Sequence, residues 1–429
     1  MRTPPSPRTT LAVALLVLLV LTATAALLVP APARTPEEPA ACPGRAPGNW
    51  STDPATTGAF ARYGDDDSRT DDWTGGDGTH SVRLPDGRTL WLFSDTFLDL
   101  VHPPPNLQGA PTRWRTTVTG GTPFLRHNSL VVMTPEGRPE RTLTGGTPAA
   151  PGPFFPDPPG GGWRWPVHAT VEPRTPGAAE RVVRVLLWNR VPGTGPWVFG
   201  VPHGTEVATL ALPDLRLESL TPVADQGAVA DPGRRVLYGT ALVRVGDVTY
   251  VFGGDDPPGS PADSAYLAKA PAGRLADRTA WRFWDGARWR PDAAGAVPVL
   301  RGGGRRGVGS AYTVVRDGRT WVLLTMDTAG GGTAGLRTIT GYWACAPQGP
   351  WHGPAGRITP PRPAAPDPDH VAVYNPQAHP ELTDGTGLLL SYDVNWLGPP
   401  GAAADPVVNG DVELYRPRFL RLRMAPAGE

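Results

Sequence analysis

The chain is short of cysteine, of lysine and of net charge. Only Cys42 and Cys345 occur in 429 residues. A zinc site built on cysteines is excluded by count, and a single disulfide in an oxidising compartment is the most the pair can form. Lysine occurs once, at Lys269, so arginine carries nearly all the positive charge. We read that as coding bias rather than function. Forty basic residues balance 40 acidic ones. With no basic excess to neutralise phosphates, no nucleic-acid partner is expected. Long apolar runs are also missing, with one exception. Leu11 to Val29 is uncharged and follows Arg2 and Arg8. It is long for the core of a signal peptide and just long enough to span a bilayer. Ala31-Pro32-Ala33 offers a cleavage site, so residues 1–33 read either as a signal peptide or as a retained transmembrane anchor. Both place the bulk of the chain outside, secreted or held on the extracellular face of the cytoplasmic membrane, with membrane contact only through this segment. Cys42 lies too far from the run to serve as a lipid acceptor.

Glycine (53) and proline (54) are abundant. Together they make about a quarter of the chain, a level that can signal disorder. Fifteen tryptophans spread through regular apolar runs argue instead for a loop-rich all-β protein. Residues 34–48 are a Pro/Ala stretch without periodicity and read as a disordered linker, with the folded domain at 49–429.

Within that domain five strand pairs recur about every 70 residues. The second strands are Trp91–Asp95, Val185–Asn189, Tyr250–Asp255, Leu323–Asp327 and Leu389–Asp393, each ending on a polar residue. Turns at Asp86-Gly87, Gly246-Asp247, Asp317-Gly318 and Asp384-Gly385, and a longer loop near Arg174, join them to their opening strands. A third strand follows each pair and runs into a Pro-containing turn, as at Thr134-Pro-Glu-Gly137 and Ala270-Pro-Ala-Gly273. Five repeats of three or four strands predict a five-bladed β-propeller. The bland alternative, an irregular β-sandwich, gives no reason for one turn chemistry at blade spacing. The fifth shared turn, Ala425 to Gly428, ends the chain, so blade five lacks an outer strand. A propeller must close its ring, and residues near Trp50 to Tyr63 are expected to supply that strand.

The most informative stretch is Asp77 to Asp95, DGTHSVRLPDGRTLWLFSD. Counting outward from Asp86-Gly87 sets Asp77 and Asp95 at the same end of one hairpin. Two carboxylates so close repel when ionised, which raises one pKa and suits a general acid. The same face of a propeller collects Asn189, Asp255, Asp256, Asp327, Asp393 and Asn395, with Trp165, Trp396 and Arg126 on its long loops. Carboxylates ringed by aromatics are what a carbohydrate site needs. Bland readings stand beside these. Asp327 fits a turn cap, Asp255 and Asp256 before Pro257-Pro258 fit a loop cap, and His168 and His379 fit satisfied core residues. The Asp65-Asp66-Asp67 run has oxygen ligands but no ordered calcium spacing.

The block Gly76-Asp-Gly78 through LPDGRTLWLFSDTF, with Asn128-Ser-Leu130, Tyr374-Asn-Pro-Gln-Ala-His379 and Leu390-Ser-Tyr-Asp-Val-Asn395, resembles a group of bacterial exported domains of unknown function. Those are similar to five-bladed propeller glycoside hydrolases, including endo-D-arabinanase-like propellers. The resemblance spans about residues 50–428. It implies the propeller fold and a monomeric glycoside hydrolase or related glycan-processing enzyme acting on a cell-surface or cell-wall polysaccharide, arabinofuranose-rich among the choices. It places the base or nucleophile at Asp77. The acid of the later blade has no match because Tyr238 opens blade three, which leaves Asp95, Asp255 and Glu206 as candidates. Asn128, His379, Asp393, Asn395 and Arg126 would bind hydroxyls, and Trp165 and Trp396 would stack on sugar rings. No cofactor is expected beyond the calcium ion on the axis that the resemblance allows. The rival reading is a non-catalytic carbohydrate-binding propeller or cell-wall scaffold, since propellers host both roles. Blade one is far more elaborated than the others, which favours one central site.

Overall fold

A computed structural model describes residues 41–428, apart from 69–72, 117–127, 198, 261, 331–335, 366 and 399–404. It is an all-β, five-bladed propeller. Blade 1 runs from inner to outer strand through His80–Arg83, Thr89–Phe93, Ser129–Met133 and Pro139–Leu143. Blade 2 is Trp163–Pro173, Arg181–Val191, Val201–Ala211 and Leu217–Asp225. Blade 3 is Leu237–Val245, Val248–Gly254, Ala265–Pro271 and Arg282–Trp284, extended by Trp289–Arg290. Thr313–Asp317, Thr320–Met326, Ile339–Ala344 and His352–Ile358 form blade 4. Blade 5 is Val371–His379, Leu388–Trp396, Arg418–Pro426 and, from the other end of the chain, Arg45–Thr52.

Each blade packs both faces against its neighbours, so the second strands of blades 1 and 4 are buried along their whole length instead of alternating. Every seam has its own apolar cluster. Leu90, Leu92 and Val132 meet Val183, Val185 and Leu187 between blades 1 and 2. Phe252 and Leu267 meet Tyr312, Trp321 and Leu323 between blades 3 and 4. The tight hairpins need left-handed backbone, and Gly87, Gly246, Gly318 and Gly385 supply it with φ of +88°, +57°, +61° and +50°.

Two expectations about the start of the domain change. The fold begins before residue 49: Cys42 is bonded to Cys345, and Arg45–Thr52 pairs antiparallel with Arg418–Pro426. Residues 45–48 are therefore part of blade 5 rather than linker, and residues 41–43 are tied to blade 4 through the disulfide and through Arg319 and Thr320. Residues Pro54–Gly64, expected within a strand, form an α-helix. Asp53 caps it, accepting from the Thr56 N–H at 2.8 Å, and Pro54 takes the first turn, where a missing N–H does no harm. The helix buries Phe60 and Tyr63 against Trp73, Trp91 and Phe93. Among the described residues no helix is long and apolar enough to cross a membrane, and residues 1–40 lie outside them.

Candidate functional site

The open end of the first hairpin is a tight knot. The Asp77 N–H donates to the Asp95 carbonyl at 3.1 Å, and the Ser94 N–H donates to the Asp77 carbonyl at 2.7 Å. Gly78 is required there, since its φ is +68° and a Cβ would lie 2.3 Å from Ser94 Oγ. The Asp95 N–H donates to Asp77 Oδ1 at 3.0 Å. Asp77 as a residue is intermediate in exposure.

Blade 5 completes the group. Its inner strand bulges between Tyr374 and Gln377, with Asn375 at φ +47°, a left-handed conformation that asparagine tolerates. The bulge sends Tyr374 and Asn375 to two different carboxylates. Tyr374 Oη donates to Asp77 Oδ2 at 2.9 Å, and the Tyr415 hydroxyl donates to the same carboxylate. Asn375 Nδ2 donates to Asp393 Oδ2 at 3.2 Å, beside the Gly78 N–H at 2.7 Å. Thr79 Oγ1 donates to Asp393 Oδ1 at 2.6 Å. Burial raises the pKa of both acids. At Asp393, repulsion from Asp77 adds to burial and pushes the pKa up to about 8. The pair therefore keeps one proton near neutrality, and we place it on the fully buried Asp393, leaving Asp77 as the anion.

A chain of contacts continues around the mouth. Trp165 Nε1 donates to Asp95 Oδ1 at 2.8 Å. The Arg190 guanidinium lies 5.2 Å over the Trp165 ring and donates to Asp256 Oδ2 at 3.1 Å. Asp255 accepts from the Ser264 N–H at 2.7 Å and from Tyr266 Oη at 3.2 Å, and burial raises its pKa. Blade 4 contributes Asp327 as a cap, accepting from the Ala329 N–H at 3.0 Å and paired with Arg357 at 2.7 Å.

The structure thus brings Asp77, Asp95, Asp393 and Trp165 together. Other expected site residues serve the fold. Asn128 is fully buried: its Nδ2 donates to the Phe155 and Arg164 carbonyls at 3.0 Å, and its Oδ1 accepts from the Phe155 N–H at 2.6 Å. It clips a loop to blade 1 and has no atom left for a hydroxyl. His379 is fully buried between Ser81 Oγ at 2.6 Å and Ser391 Oγ at 2.8 Å. Burial drops its pKa to about 3, so it is a neutral core residue. Glu206 is a buried partner of Arg164 at 2.6 Å, which removes it from the acid candidates. Trp396 is covered by Phe97, Val371 and Leu414, and a Cβ on Gly398 would come within 2.1 Å of its ring, so it offers no open face for stacking. Asn395 pairs with Ala372 at the end of its strand, where its Oδ1 is buried with no partner among the described residues. Arg126 lies outside the described residues. Tyr374 and Tyr415, which hold Asp77, were missed; the left-handed Asn375 before Pro376 is the local signal for the bulge that places Tyr374.

His80, His168 and Gln377 lie on the inner strands of blades 1, 2 and 5. His80 and His168 stack edge to face at 5.5 Å, and burial lowers the pKa of both. The buried amide of Gln377 has no hydrogen-bond partner among the described residues. Among the described residues, no group of three or more His, Cys, Asp or Glu is arranged to hold a metal. A cavity of about 240 Å³ between Arg62, Tyr63, Asp66 and Arg138 lies beside the helix, away from these carboxylates.

Residues 61–424 match a family described as a domain of unknown function, DUF5005. The chain belongs to that family. A search of curated proteins finds no match. Among solved structures, one from Bacteroides ovatus described as a “putative hydrolase” is similar over 87% of this chain and 90% of its own, at 18% identity and a TM-score of 0.60. The catalytic domain of a Coprinopsis cinerea GH62 α-L-arabinofuranosidase is similar over 85% of this chain and 94% of its own, at 11% identity and a TM-score of 0.44. A Xanthomonas citri GH43_1 enzyme complexed with xylotriose follows at 13% identity and 0.40, over 87% and 93%. At these identities the likeness is one of fold.

Proposed function

We propose that this DUF5005 protein hydrolyses glycosidic bonds of a cell-surface or cell-wall polysaccharide, with Asp77 as the general base that activates water. The observation that carries the reading is the Asp77–Asp393 pair. One carboxylate, on a residue of intermediate exposure, is held by three donors that favour its charged form. Its neighbour is buried and takes up the shared proton. Environments that push two carboxyl groups apart are how a site assigns acid and base roles. The partly exposed Trp165 beside Asp95 offers an aromatic face for a sugar ring. The hydrolase designation of the Bacteroides ovatus structure is of the same reaction class.

The test is incubation of the purified chain with bacterial cell-wall polysaccharides, arabinan and arabinogalactan among them, with products read by mass spectrometry. Wild type and Asp77→Asn are run in parallel. Oligosaccharides released by the wild type and absent with the variant support the reading. A glycan retained equally by both proteins and never cut would make this a binding propeller with a structural Asp77.

A further inference from the structure

Blade 3 carries a second group of carboxylates at the same face. Its second strand runs out into Asp255-Asp256, and Asp263 precedes its third strand. Asp255 is met by the Ser264 N–H and the Tyr266 hydroxyl, and Asp256 by Arg190. Asp263 is met by nothing. It is only 7% exposed, yet among the described residues no donor is within hydrogen-bond distance of its carboxylate. Every other buried acid of the described chain accepts at least one hydrogen bond: Glu172 from the Gly273 N–H at 2.7 Å, Glu206 from Arg164 at 2.6 Å, Asp393 from three donors.

The main chain of Asp263, by contrast, is clamped. Its N–H donates to the Val308 carbonyl at 2.8 Å and its carbonyl accepts from the Val308 N–H at 3.0 Å. A Cβ at Gly302 or Gly307 would come within 2.6 Å or 2.8 Å of the Asp263 carbonyl oxygen, so the approach that fixes this residue admits only glycine. The groups facing its carboxyl are Asp256, Asp255, Arg190 and the hydroxyl of Tyr312, which itself donates to the Gly253 carbonyl at 2.8 Å. An ionised carboxylate buried without donors beside two others is strongly disfavoured. Burial first, then the two acidic neighbours, push the Asp263 carboxyl well above the ordinary range, which favours its protonated form.

We propose that Asp263 is the general acid of the glycosidase reaction assigned above to Asp77, giving its proton to the leaving glycosidic oxygen. The inference rests on that reading and supplies the partner it lacked. Water adds to the anomeric carbon as one of its protons passes to the Asp77 carboxylate. The bond from that carbon to the leaving oxygen breaks, its electron pair stays on the oxygen, and the oxygen takes the Asp263 proton. Asp263 ends ionised and Asp77 protonated, and exchange with solvent restores both. Arg190, paired with Asp256 and facing Asp263, stabilises the carboxylate left behind. The contacts from Asp256 through Arg190 and Trp165 to Asp95 join the two groups along one rim.

The experiment uses the full chain, the glycan it cleaves, and a dinitrophenyl glycoside of the same sugar, whose leaving group needs no proton. Asp263→Asn should lose about a thousandfold in kcat/KM on the glycan and less than about tenfold on the dinitrophenyl glycoside. The basic limb of its pH–rate profile should vanish. Asp77→Asn should lose activity on both substrates. Infrared difference spectra of wild type against Asp263→Asn at pH 7 should show the carbonyl band of a protonated acid. Equal losses of Asp263→Asn on both substrates, or an ionised Asp263 in an active enzyme, overturn the assignment and leave the hydrolase intact. A protonated Asp263 with no turnover of either substrate by the wild type sinks the glycosidase reading, and this assignment with it. Asp263→Glu keeps the carboxyl, so partial recovery on the glycan separates lost proton donation from disturbed folding.

Discussion

The seam between blades 5 and 1 and the mouth of blade 3 both gather carboxyl groups at one face, and they treat them oppositely. At the seam, Asp77 and Asp393 are each met by three donors. At the mouth of blade 3, Asp263 is buried with none. Donors lower the cost of charge, so the seam can hold an anion even with a second acid alongside. At Asp393 burial and repulsion from Asp77 outweigh the donors and keep the pair's one proton there, whereas at Asp263 no donor opposes burial at all. On the proposed reading, the first region would take a proton and the second would give one, the difference set by burial, neighbouring charge and the placement of N–H and O–H groups.

The largest effect should come from removing the anion itself. Asp77→Asn keeps the size of the side chain and an acceptor for the Asp95 N–H but cannot take a proton from water. We expect kcat to fall about a thousandfold or more with little change in thermal stability. Activity surviving within about tenfold would put the charge elsewhere and erase the contrast between the two regions.

How much of that contrast is legible in the sequence depends on the range of the interactions. Local chemistry reads well. The Asp-Gly and Gly-Asp turns between apolar runs give the hairpins, and the hairpin count from Asp86-Gly87 brings Asp77 and Asp95 together, where one N–H does reach the other's carboxylate. The helix was misread as part of the closing strand, although Asp53-Pro54 carries its local signal, a cap followed by a first-turn proline. Pairings across the ring closure do not read. Asp393 and Gly78 are 315 residues apart in sequence and meet only because blade 5 closes on blade 1. Polar residues in apolar surroundings are also ambiguous by nature. Asn128 and His379 look like ligands for hydroxyls, and burial turns each into a clip whose partners are already inside the protein. Asp263 gives no local signal, since its character comes from the absence of donors in a folded environment.

A smaller effect sharpens the assignment of the shared proton. With its pKa raised to about 8, Asp393 holds a proton in the folded chain that an unfolded chain, with an ordinary carboxyl near 4, has released. Between about pH 4 and pH 8 the native state binds the extra proton, so this group makes stability decline as pH rises, by roughly 1 kcal/mol per pH unit. Asp393→Asn carries no proton to lose and should flatten that part of the decline in denaturant titrations at pH 5, 6.5 and 8. It should also reduce activity far less than Asp77→Asn does. An unchanged slope, with activity lost as completely as in Asp77→Asn, would mean that the charge sits on Asp393.

The subtlest change probes a single donor. Tyr374 Oη donates to Asp77 Oδ2 at 2.9 Å, and burial keeps that hydroxyl protonated far into the basic range. A hydrogen bond to the charged form is worth about 1.5–3 kcal/mol, part of which Tyr415 and solvent at the ring mouth can replace in its absence. Tyr374→Phe should therefore raise the Asp77 pKa further. The base would then be ionised only at higher pH, so the acid limb of kcat/KM shifts upward by the same amount while the plateau changes little. On the steep part of the limb this is a loss of rate, and it disappears as pH rises. The same substitution leaves Asp263 untouched, so the basic limb should stay where it is. Movement of both limbs together would show that the two carboxyl groups titrate as one coupled unit rather than as separate acid and base.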